Sequence, residues 1–453
     1  MGSSRRPSRL QLRALALSLV FSASACATHS RPAVSRVYAP DERTLAASEI
    51  GALLSKASPR RVLWGAVIQS LDRGDVVFSI NPDQLLVPAS NAKLLTVAVA
   101  AERLGWAFTF ETIVRATTAI DPDGTIRGDL VVRGGGDPTP GDRPNLSPAL
   151  TTIADALWQQ GVRRIEGRII GDDDGFAEEP YGAGWAWDDL PFSYSAPIGA
   201  LNYDENVHAA NATAAGSARF TSVENPTIAF AEALRATLVA RGVTVVGEAA
   251  DIDLAPPGPL PSGLPMLVSH RSAPLSEIAR RLLKSSQNLY AEVFLRAIGR
   301  EEGQPESSTA GLDVVRETLA GWGIDAGTVA QADGSGLSRY NLVTPAALAK
   351  VLEHMYRSVS LREAWLAALP IAGVDGTLEK RMKGTAAEAR VFAKTGSLSS
   401  VRALSGYVHA KSGEWFVFSI LANNFAAPTT AADVDRVIDQ VVERVAAMSS
   451  MPN

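Results

Sequence analysis

The chain has 453 residues, more than one hydrophobic core usually serves, and its length predicts two or three domains. With 46% hydrophobic and 20% charged residues, it has the composition of a globular protein rather than of a disordered one. The net charge of -5 at pH 7, without a basic stripe after the N-terminus, argues against nucleic acid as a partner.

The N-terminus predicts export. Four arginines precede an apolar run over 14–21, and small residues follow at 22–27. This order is typical of a secretory signal, and the run is too short to span a bilayer as a mature helix. We therefore expect residues 1–27 to be a signal peptide and the protein to reach the periplasm or the cell envelope.

The end of this signal leaves two processing routes open. Ala25-Cys26-Ala27 fits a site for ordinary cleavage, whereas Ala23-Ser24-Ala25-Cys26 resembles a lipobox in which Cys26 becomes lipidated. Because Cys26 is the sole cysteine, we expect no disulfide, and lipidated Cys26 is the only membrane attachment that we expect. Residues 28–45 are polar and predict a flexible leader.

Two strands and a helix follow the leader. Apolar runs predict strands over 62–71 and 76–80, joined by a turn at 72–75. A helix is predicted from about Ser90 to Leu104. Ser90 therefore opens a helix, where N–H groups converge and the helix dipole favours negative charge.

The middle of the chain, over 106–265, differs from both ends. It is rich in short strand-like runs separated by glycines and prolines, with one helix-like stretch at 226–241. A Pro/Gly-rich segment at 256–263 resembles a domain boundary. We expect 106–265 to be a mainly β insert made of two small subdomains. Trp187 is expected in its core, with the lining of a substrate side-chain pocket as the alternative.

The last part of the chain alternates helices and strands. Helices are predicted over 275–298, 312–322, 345–356 and 431–448, and strands over 389–394, 403–410 and 415–422. The two N-terminal and three C-terminal strands predict one five-stranded antiparallel sheet flanked by helices, an α+β domain. The insert therefore divides a domain that comprises 46–105 and 266–449.

Three short motifs stand in a fixed order: Ser90-Asn91-Ala92-Lys93, Ser286-Gln287-Asn288 and Lys394-Thr395-Gly396. Of the eight lysines only Lys93 has a serine three residues upstream, so the SxxK match is unique. A second SxN, Ser79-Ile80-Asn81, lies upstream of Ser90, and Lys411-Ser412-Gly413 separates two strands as a hairpin turn. The ordered set is that of penicillin-interacting serine acyl-transferases.

The residue types suit acyl transfer. Lys93 follows Ser90 by three residues, so both share a helical face and Lys93 can reach the Ser90 hydroxyl. An ammonium cannot accept a proton, but burial and a neighbouring cation lower the pKa of a lysine. Lys394 is the expected neighbouring cation, and Lys93 is the predicted base.

The other two motifs predict substrate contacts. Ser286 can relay a proton to a leaving amine, and Asn288 can hold a substrate amide or position Lys93. Lys394 and Thr395 are expected to meet a substrate carboxylate, and Gly396 lets a ligand lie close to its strand. The backbone N–H groups of Ser90 and Ser397 are candidates for an oxyanion hole. The five histidines are scattered without metal-ligand spacing, so we expect neither metal nor cofactor.

The chain resembles the bacterial D-Ala-D-Ala carboxypeptidase/endopeptidase family, the class C low-molecular-mass penicillin-binding proteins. The likeness covers roughly residues 60 to 445, and the 196 positions between Ser90 and Ser286 (286 minus 90) match the long insert of this family. Besides the catalytic motifs, the phrases that carry the likeness are Pro88–Leu94, Gly135–Thr139, Trp185–Asp189, Asp333–Arg339 and Ala372–Leu378. Gln287 departs from the family pattern, where Asp or Asn is common.

The resemblance implies a penicillin-binding/β-lactamase-like transpeptidase domain acting on peptidoglycan stem peptides. Ser90 would attack the carbonyl between two terminal D-alanines, with Lys93 as base and Ser286 as proton relay. Asn288 would contact a substrate amide, while Lys394 and Thr395 would bind the carboxylate. The family also implies cleavage of cross-links, and β-lactam antibiotics as covalent inhibitors of Ser90.

Two other functions remain as alternatives. One is a β-lactamase or esterase of the same fold, which the long insert disfavours. The other is a non-catalytic cell-wall-binding protein that uses its insert, which the intact motifs disfavour. The sequence leaves the carboxypeptidase–endopeptidase balance, the stem-peptide preference, the role of the insert and the oligomeric state open.

Overall fold

A computed structural model of the protein describes residues 41–56, 62–177, 180–210, 219–254, 265–300 and 306–449. The predicted signal peptide, with Cys26, lies outside the described residues, as does the leader up to residue 40. The remainder of the predicted leader is wrong, because a helix begins at Glu42. Within the described ranges, no helix combines the length and the apolar character needed to cross a membrane.

Helices occur throughout the described part of the chain. They are α1 (Glu42–Lys56), α2 (Ala92–Leu104), α3 (Ala149–Gln159), α4 (Pro226–Ala240), α5 (Leu275–Ser285), α6 (Asn288–Ile298), α7 (Ser308–Gly321), α8 (Pro345–Arg357), α9 (Arg362–Ala368) and α10 (Ala431–Ala446).

Strands lie at both ends of the chain and dominate its middle. They are β1 (Leu63–Ser70), β2 (Val76–Ile80), β3 (Glu111–Ala116), β4 (Thr125–Ile126), β5 (Leu130–Arg133), β6 (Arg164–Ile165), β7 (Ile169–Asp172), β8 (Val207–Ala210), β9 (Arg219–Ser222), β10 (Thr244–Val245), β11 (Ala249–Asp251), β12 (Met266–Arg271), β13 (Val329–Ala330), β14 (Leu342–Val343), β15 (Val391–Leu398), β16 (Val401–His409) and β17 (Trp415–Asn423).

The central sheet joins the two ends of the chain. Its strand order is β15-β16-β17-β1-β2, with every pair antiparallel, so the predicted five-stranded sheet and the α+β class are confirmed. β1 pairs with β17 along its full length, from Leu63 opposite Asn423 to Ser70 opposite Phe416. The N-terminal strand is therefore an interior strand of a sheet that the C-terminal segment completes.

Helices cover both faces of this sheet. Val417 and Leu421 of β17 join a core with residues of α2, α5, α6 and α8. Phe416, Phe418 and Ile420 of the same strand join a second core with α1 and α10. The alternation along β17 follows from the two-residue period of a strand, and it makes the sheet apolar on both sides.

The described part of the insert contains two larger sheets, the two-stranded sheet β8-β9 and two packed helices. The larger sheet has the order β11-β7-β5-β3-β12, the smaller one β10-β6-β4, and both contribute side chains to one apolar cluster with α3 and α4. β12 pairs with β3 from Arg271 opposite Glu111 to Met266 opposite Arg115. The expected boundary at 265 is thus too early by one strand, and the division into two subdomains stays a prediction.

The helix predicted over 275–298 is wrong in one respect, because it is two helices. Ser286 has φ 61° and ψ 36°, a left-handed conformation that ends α5, and α6 begins at Asn288. The apolar periodicity continues across the break, with Leu282 and Leu289 both buried, so the pattern gave no sign of it. The break places Ser286 and Gln287 in a turn between two helices and Asn288 at the start of the second.

Gly406 of β16 is expected to be intolerant of a side chain. A Cβ there would lie 2.1 Å from the Phe392 carbonyl oxygen and 2.6 Å from the Ala393 Cα of β15. We expect Gly406→Ala to lower the free energy of unfolding by about 2 kcal/mol, because β15 has to move away. Urea denaturation measures this change.

The matched control is Gly321→Ala at the end of α7, where an added Cβ meets nothing within 4 Å. That substitution should leave stability unchanged or raise it by about 0.5 kcal/mol through helix propensity. Equal stability of the two variants would contradict the tight β15–β16 packing.

Candidate active site

A tight turn presents Ser90 at the start of α2. Ala89, directly before it, has φ 48°, and residues 89–91 form one turn of 3₁₀ helix. Asn91 donates from Nδ2 to the Lys394 carbonyl oxygen at 3.0 Å, which ties this turn to β15. Gly336 lies against the turn so closely that a Cβ would sit 1.9 Å from the Ala89 carbonyl oxygen. Packing from two sides therefore stabilises the unusual backbone before Ser90.

Lys93 brings the first two motifs together. Its side chain is fully buried, and Nζ donates to Ser90 Oγ at 2.9 Å, Asn288 Oδ1 at 2.6 Å and the Ser335 carbonyl oxygen at 2.7 Å. The predicted reach from Lys93 to Ser90 is present. The Asn288 contact corresponds to the second of the two roles predicted for that residue, the positioning of Lys93.

Burial changes the acid–base behaviour of Lys93. The loss of water lowers its pKa to about 7, although the nearby carboxylates of Asp333 and Glu292 act in the opposite direction. A substantial fraction of this amine is therefore neutral at neutral pH, as a base requires.

Lys394 makes the corresponding contact with the second serine. Its Nζ donates to Ser286 Oγ at 2.8 Å and to the Thr395 carbonyl oxygen at 2.8 Å. Burial, followed by the charge of Lys93, holds the pKa of Lys394 well below its usual range. We expected burial and the charge of Lys394 together to lower the pKa of Lys93. Burial is the largest cause for both lysines, and the repulsion between the two amines disfavours charging both at once.

The predicted site residues surround one cleft of about 460 Å³. Those that line it are Ser90, Ser286, Asn288, Thr395 and Ser397. Lys93 and Lys394 are buried and contact the lining serines. Thr395 donates from Oγ1 to Thr377 Oγ1 at 2.8 Å, and Thr377 also lines the cleft. The carboxylate-binding and oxyanion roles stay predictions.

A side chain does not fit at Gly396, because a Cβ would lie 2.6 Å from the Pro88 carbonyl oxygen and 3.0 Å from the Ala403 Cβ. Gly396 therefore permits close packing against the segment that leads to Ser90, and its contact with a ligand stays a prediction. The core position expected for Trp187 is wrong. Trp187 is 84% exposed and does not belong to the core of the insert.

The loop over 333–339 borders the cleft, and the carboxylate of Asp333 binds part of its backbone. Asp333 accepts from the backbone N–H of Gly336 at 2.7 Å and of Ser338 at 2.6 Å. Trp185 of the insert donates from Nε1 to the same carboxylate at 3.0 Å. Gly336 and Arg339 line the cleft, so this loop is both a structural turn and part of the site.

A second contact from the insert joins Gln287 to three charged residues that no sequence motif marks. Glu205 accepts from Arg143 Nη2 and Arg281 Nη2, both at 2.8 Å, and from the side chain of Gln287. Burial alone would raise the pKa of Glu205, but the bonds from Gln287 and Arg281 outweigh it and lower the pKa. We call Arg143, Glu205, Arg281 and Gln287 the Glu205 cluster, and it connects the insert to the SxN turn.

The Glu205 cluster explains why a glutamine stands at position 287, where the family commonly has Asp or Asn. Its side chain reaches Glu205 from the middle of the SxN turn, while Asn288 donates from Nδ2 to the Tyr194 carbonyl oxygen at 2.6 Å. Both neighbours of Ser286 on the C-terminal side are thus bonded to the insert. The sequence alone could not predict this contact, because no sequence pattern indicates that Gln287 and Glu205 are neighbours.

Among the described residues, one group of acids has carboxylate oxygens close enough to share a cation. It comprises Asp173, Asp174 and Asp253, all in the insert, and none of them lines the cleft. Exposed acidic groups are common without a cation, so this cluster does not by itself define a metal site.

Comparison with known proteins agrees with the geometry. The profile of the D-Ala-D-Ala carboxypeptidase 3 (S13) family matches residues 46–227 and 212–447. A D-alanyl-D-alanine carboxypeptidase of Actinomadura sp. (strain R39) is 34% identical over 466 residues, which cover 87% of this chain and 84% of the relative. The D-alanyl-D-alanine carboxypeptidase DacB of Haemophilus influenzae is 27% identical, over 82% of this chain and 88% of the relative.

The fold has solved counterparts. The crystal structure of penicillin binding protein 4 (dacB) from Haemophilus influenzae superimposes with a TM-score of 0.76 at 24% identity, covering 88% of this chain and 99% of that chain. The fold and the ordered motifs define a penicillin-interacting serine acyl-transferase. Within that class, the chain belongs to the D-Ala-D-Ala carboxypeptidase 3 (S13) family, which confirms the resemblance seen in the sequence.

The low pKa of Lys93 predicts a pH dependence. We expect acylation of Ser90 by a fluorescent penicillin to become faster as pH rises and to reach half its maximal rate near pH 7, since only the neutral amine accepts the Ser90 proton. Stopped-flow measurements from about pH 5 to about pH 9 test this. Lys93→Arg keeps its charge throughout and should react about a thousand-fold more slowly. A rate independent of pH in the wild type would contradict the assignment.

The Glu205 cluster predicts a stability effect. Glu205→Ala leaves Arg143 and Arg281 without their shared anion, and the Glu205 side chain is only 12% exposed. We expect the free energy of unfolding to fall by about 3 kcal/mol, as when one partner of a buried ion pair is removed.

Asp313→Ala is the matched control, because its ion pair with Arg316 is about two-thirds exposed on both sides. Its effect should stay below about 0.5 kcal/mol. Urea denaturation compares the two variants, and similar losses would show that the Glu205 cluster does not support the fold.

Proposed function

We propose that the protein is a serine-type D-Ala-D-Ala carboxypeptidase that acts on peptidoglycan stem peptides through an acyl-enzyme on Ser90. The observation that carries this proposal is the 2.9 Å contact between Lys93 Nζ and Ser90 Oγ at the edge of the cleft. Membership of the S13 family and the carboxypeptidase names of its relatives supply the substrate class.

Acylation begins with the transfer of the Ser90 proton to Lys93. Ser90 Oγ then bonds to the carbonyl carbon between the two D-alanines, and negative charge forms on the carbonyl oxygen. The backbone N–H groups of Ser90 and Ser397 are the proposed donors to that oxygen. Lys93 is suited to this step because burial favours its neutral form.

Release of the leaving D-alanine needs a proton on its nitrogen. Ser286 lines the cleft and accepts from Lys394 Nζ at 2.8 Å, so it can donate its own proton to the amine and regain one from Lys394. The carboxylate of the leaving group is proposed to lie near Thr395. Water then attacks the ester on Ser90, and its proton passes through Ser286 to Lys394, which the first relay left neutral. Lys93 returns its proton to the departing Ser90 oxygen, and the shortened peptide is freed.

The same chemistry extends to two related substrates. In a cross-linked peptide the leaving amine belongs to a neighbouring stem, and its release is the DD-endopeptidase reaction. A β-lactam opens on Ser90, but its amine stays attached, so we propose that β-lactams are covalent inhibitors. We also propose export to the periplasm or envelope, on the strength of the N-terminal segment at 1–27.

The nucleophile is tested with a fluorescent penicillin and intact-mass detection. We expect wild-type protein to gain one covalent adduct and to convert a stem pentapeptide to the tetrapeptide and D-alanine. Ser90→Ala should form no adduct and lose at least about a thousand-fold in peptidase rate. Ser399→Ala, which alters another serine lining the same cleft, is the control and should still be labelled. A folded wild type without an adduct would overturn the proposal.

A further inference from the structure

One buried carboxylate beside the site has no place in the reaction described so far. Glu292 lies in α6, one turn after Asn288, and is 1% exposed. Its Oε1 accepts from the Ser335 backbone N–H at 2.8 Å and its Oε2 from that of Gly334 at 3.0 Å. Both oxygens therefore bind backbone of the loop that borders the cleft.

These two bonds fix a backbone segment that contacts Lys93 directly. The Ser335 carbonyl oxygen accepts from Lys93 Nζ at 2.7 Å. The following N–H, of Gly336, donates to Asp333 at 2.7 Å, so carboxylates bind three successive N–H groups around this carbonyl. Gly334 also packs against α6, where a Cβ would lie 2.4 Å from the Ala291 carbonyl oxygen. These contacts fix the orientation of the Ser335 carbonyl group that accepts from Lys93.

The charges around Glu292 give it a second effect. Of the charged groups near it, Lys93 comes from α2, Asp333 from the loop and Arg296 from its own helix, while Lys394 of β15 lies beyond Lys93. Burial, followed by Asp333, raises the pKa of Glu292 to about 7. The pKa values of Glu292 and Lys93 thus lie in the same range, so the pH dependence expected for acylation belongs to the pair.

We propose that Glu292 is a positioning residue for Lys93, resting on the proposed function in which Lys93 is the base. It holds the backbone at 334–335 so that the Ser335 carbonyl receives Lys93 Nζ. It also supplies negative charge near the ammonium that forms when Lys93 takes the Ser90 proton. Buried charge needs a compensating partner, and water cannot supply one here because Lys93 and Glu292 are both inaccessible.

A purely structural anchor would behave differently from a positioning residue. If Glu292 only held the loop, its loss would slow acylation equally at every pH. If it also stabilises the ammonium form of Lys93, removing its charge must lower the pKa of Lys93 and move the acid side of the rate profile to lower pH. The pH at which the acid side of the rate profile lies therefore distinguishes a purely structural role of Glu292 from a positioning role.

The experiment measures the rate of Ser90 acylation by a fluorescent penicillin across pH for the full chain and three variants. Glu292→Gln keeps the size but loses the charge and one acceptor. We expect its acid limb to shift down by about one pH unit and its maximal rate to fall about ten-fold or more. Glu292→Asp keeps the charge but is too short for both N–H groups, so its maximum should fall while its limb stays near that of the wild type.

Thr96→Val is the matched control. Thr96 donates from Oγ1 to the Gly334 carbonyl oxygen at 2.8 Å, so the substitution loosens the same loop without changing its charge. We expect the acid side of its rate profile to lie at the same pH as in the wild type, and its maximal rate to fall less than that of Glu292→Gln. Circular dichroism establishes that each variant is folded.

The outcomes are distinct. A folded Glu292→Gln with the wild-type limb would overturn the charge effect, and a Glu292→Asp with the wild-type maximum would overturn the positioning of the loop. Should Glu292→Gln not fold, Glu292→Asp and Thr96→Val still decide whether the loop sets the rate. If the wild type itself is not acylated, the proposed function fails, and that result is recognisable before any variant is compared.

Discussion

The burial of Lys93 is the constraint on which the rest of the site depends. An amine without access to water must have its N–H groups bonded, and here Ser90, Asn288 and the Ser335 carbonyl receive them. Those three partners come from the 3₁₀ turn before α2, from the start of α6 and from the loop at 333–339. One side chain thus fixes the mutual positions of three segments that are far apart in the sequence. The same lack of water that requires these partners lowers the pKa and gives Lys93 its chemical use.

The insert is part of this arrangement rather than a separate attachment. It reaches the site through Trp185, which bonds to Asp333, through the Tyr194 carbonyl, which receives Asn288, and through Glu205. Each contact ends on a residue that orients a catalytic motif or the loop next to it. The role of the insert, which the sequence left open, therefore includes support of the cleft on the SxN side.

Much of the fold and the site could be predicted, because short stretches of the sequence contain the apolar patterns and motifs that indicate them. Apolar runs in the sequence predict the strands of the central sheet, and each of the three motifs contains one of the residues Ser90, Ser286 and Lys394. The break at Ser286 could not be predicted, since apolar periodicity continues through it. Glu292 offered a faint signal as a charged residue within the apolar helix α6, but its partners lie more than 40 positions away, at Gly334 and Ser335. Contacts of this kind are set by packing between segments, which a single sequence does not display.

The pairing of β1 with β17 has a consequence for the order of folding. The strand at Leu63–Ser70 cannot enter the interior of its sheet until Trp415–Asn423 has been synthesised, whereas the strands of the insert, from Glu111 to Arg271, find their partners within one continuous stretch. Closing so long a loop is slow, and an incomplete sheet exposes strand edges that aggregate. The insert can therefore mature first on a nascent chain, while acyl-transfer competence arises only after β17 has been synthesised. A chain that stops short of β17 would carry Ser90 and Lys93 yet have no finished sheet to hold them.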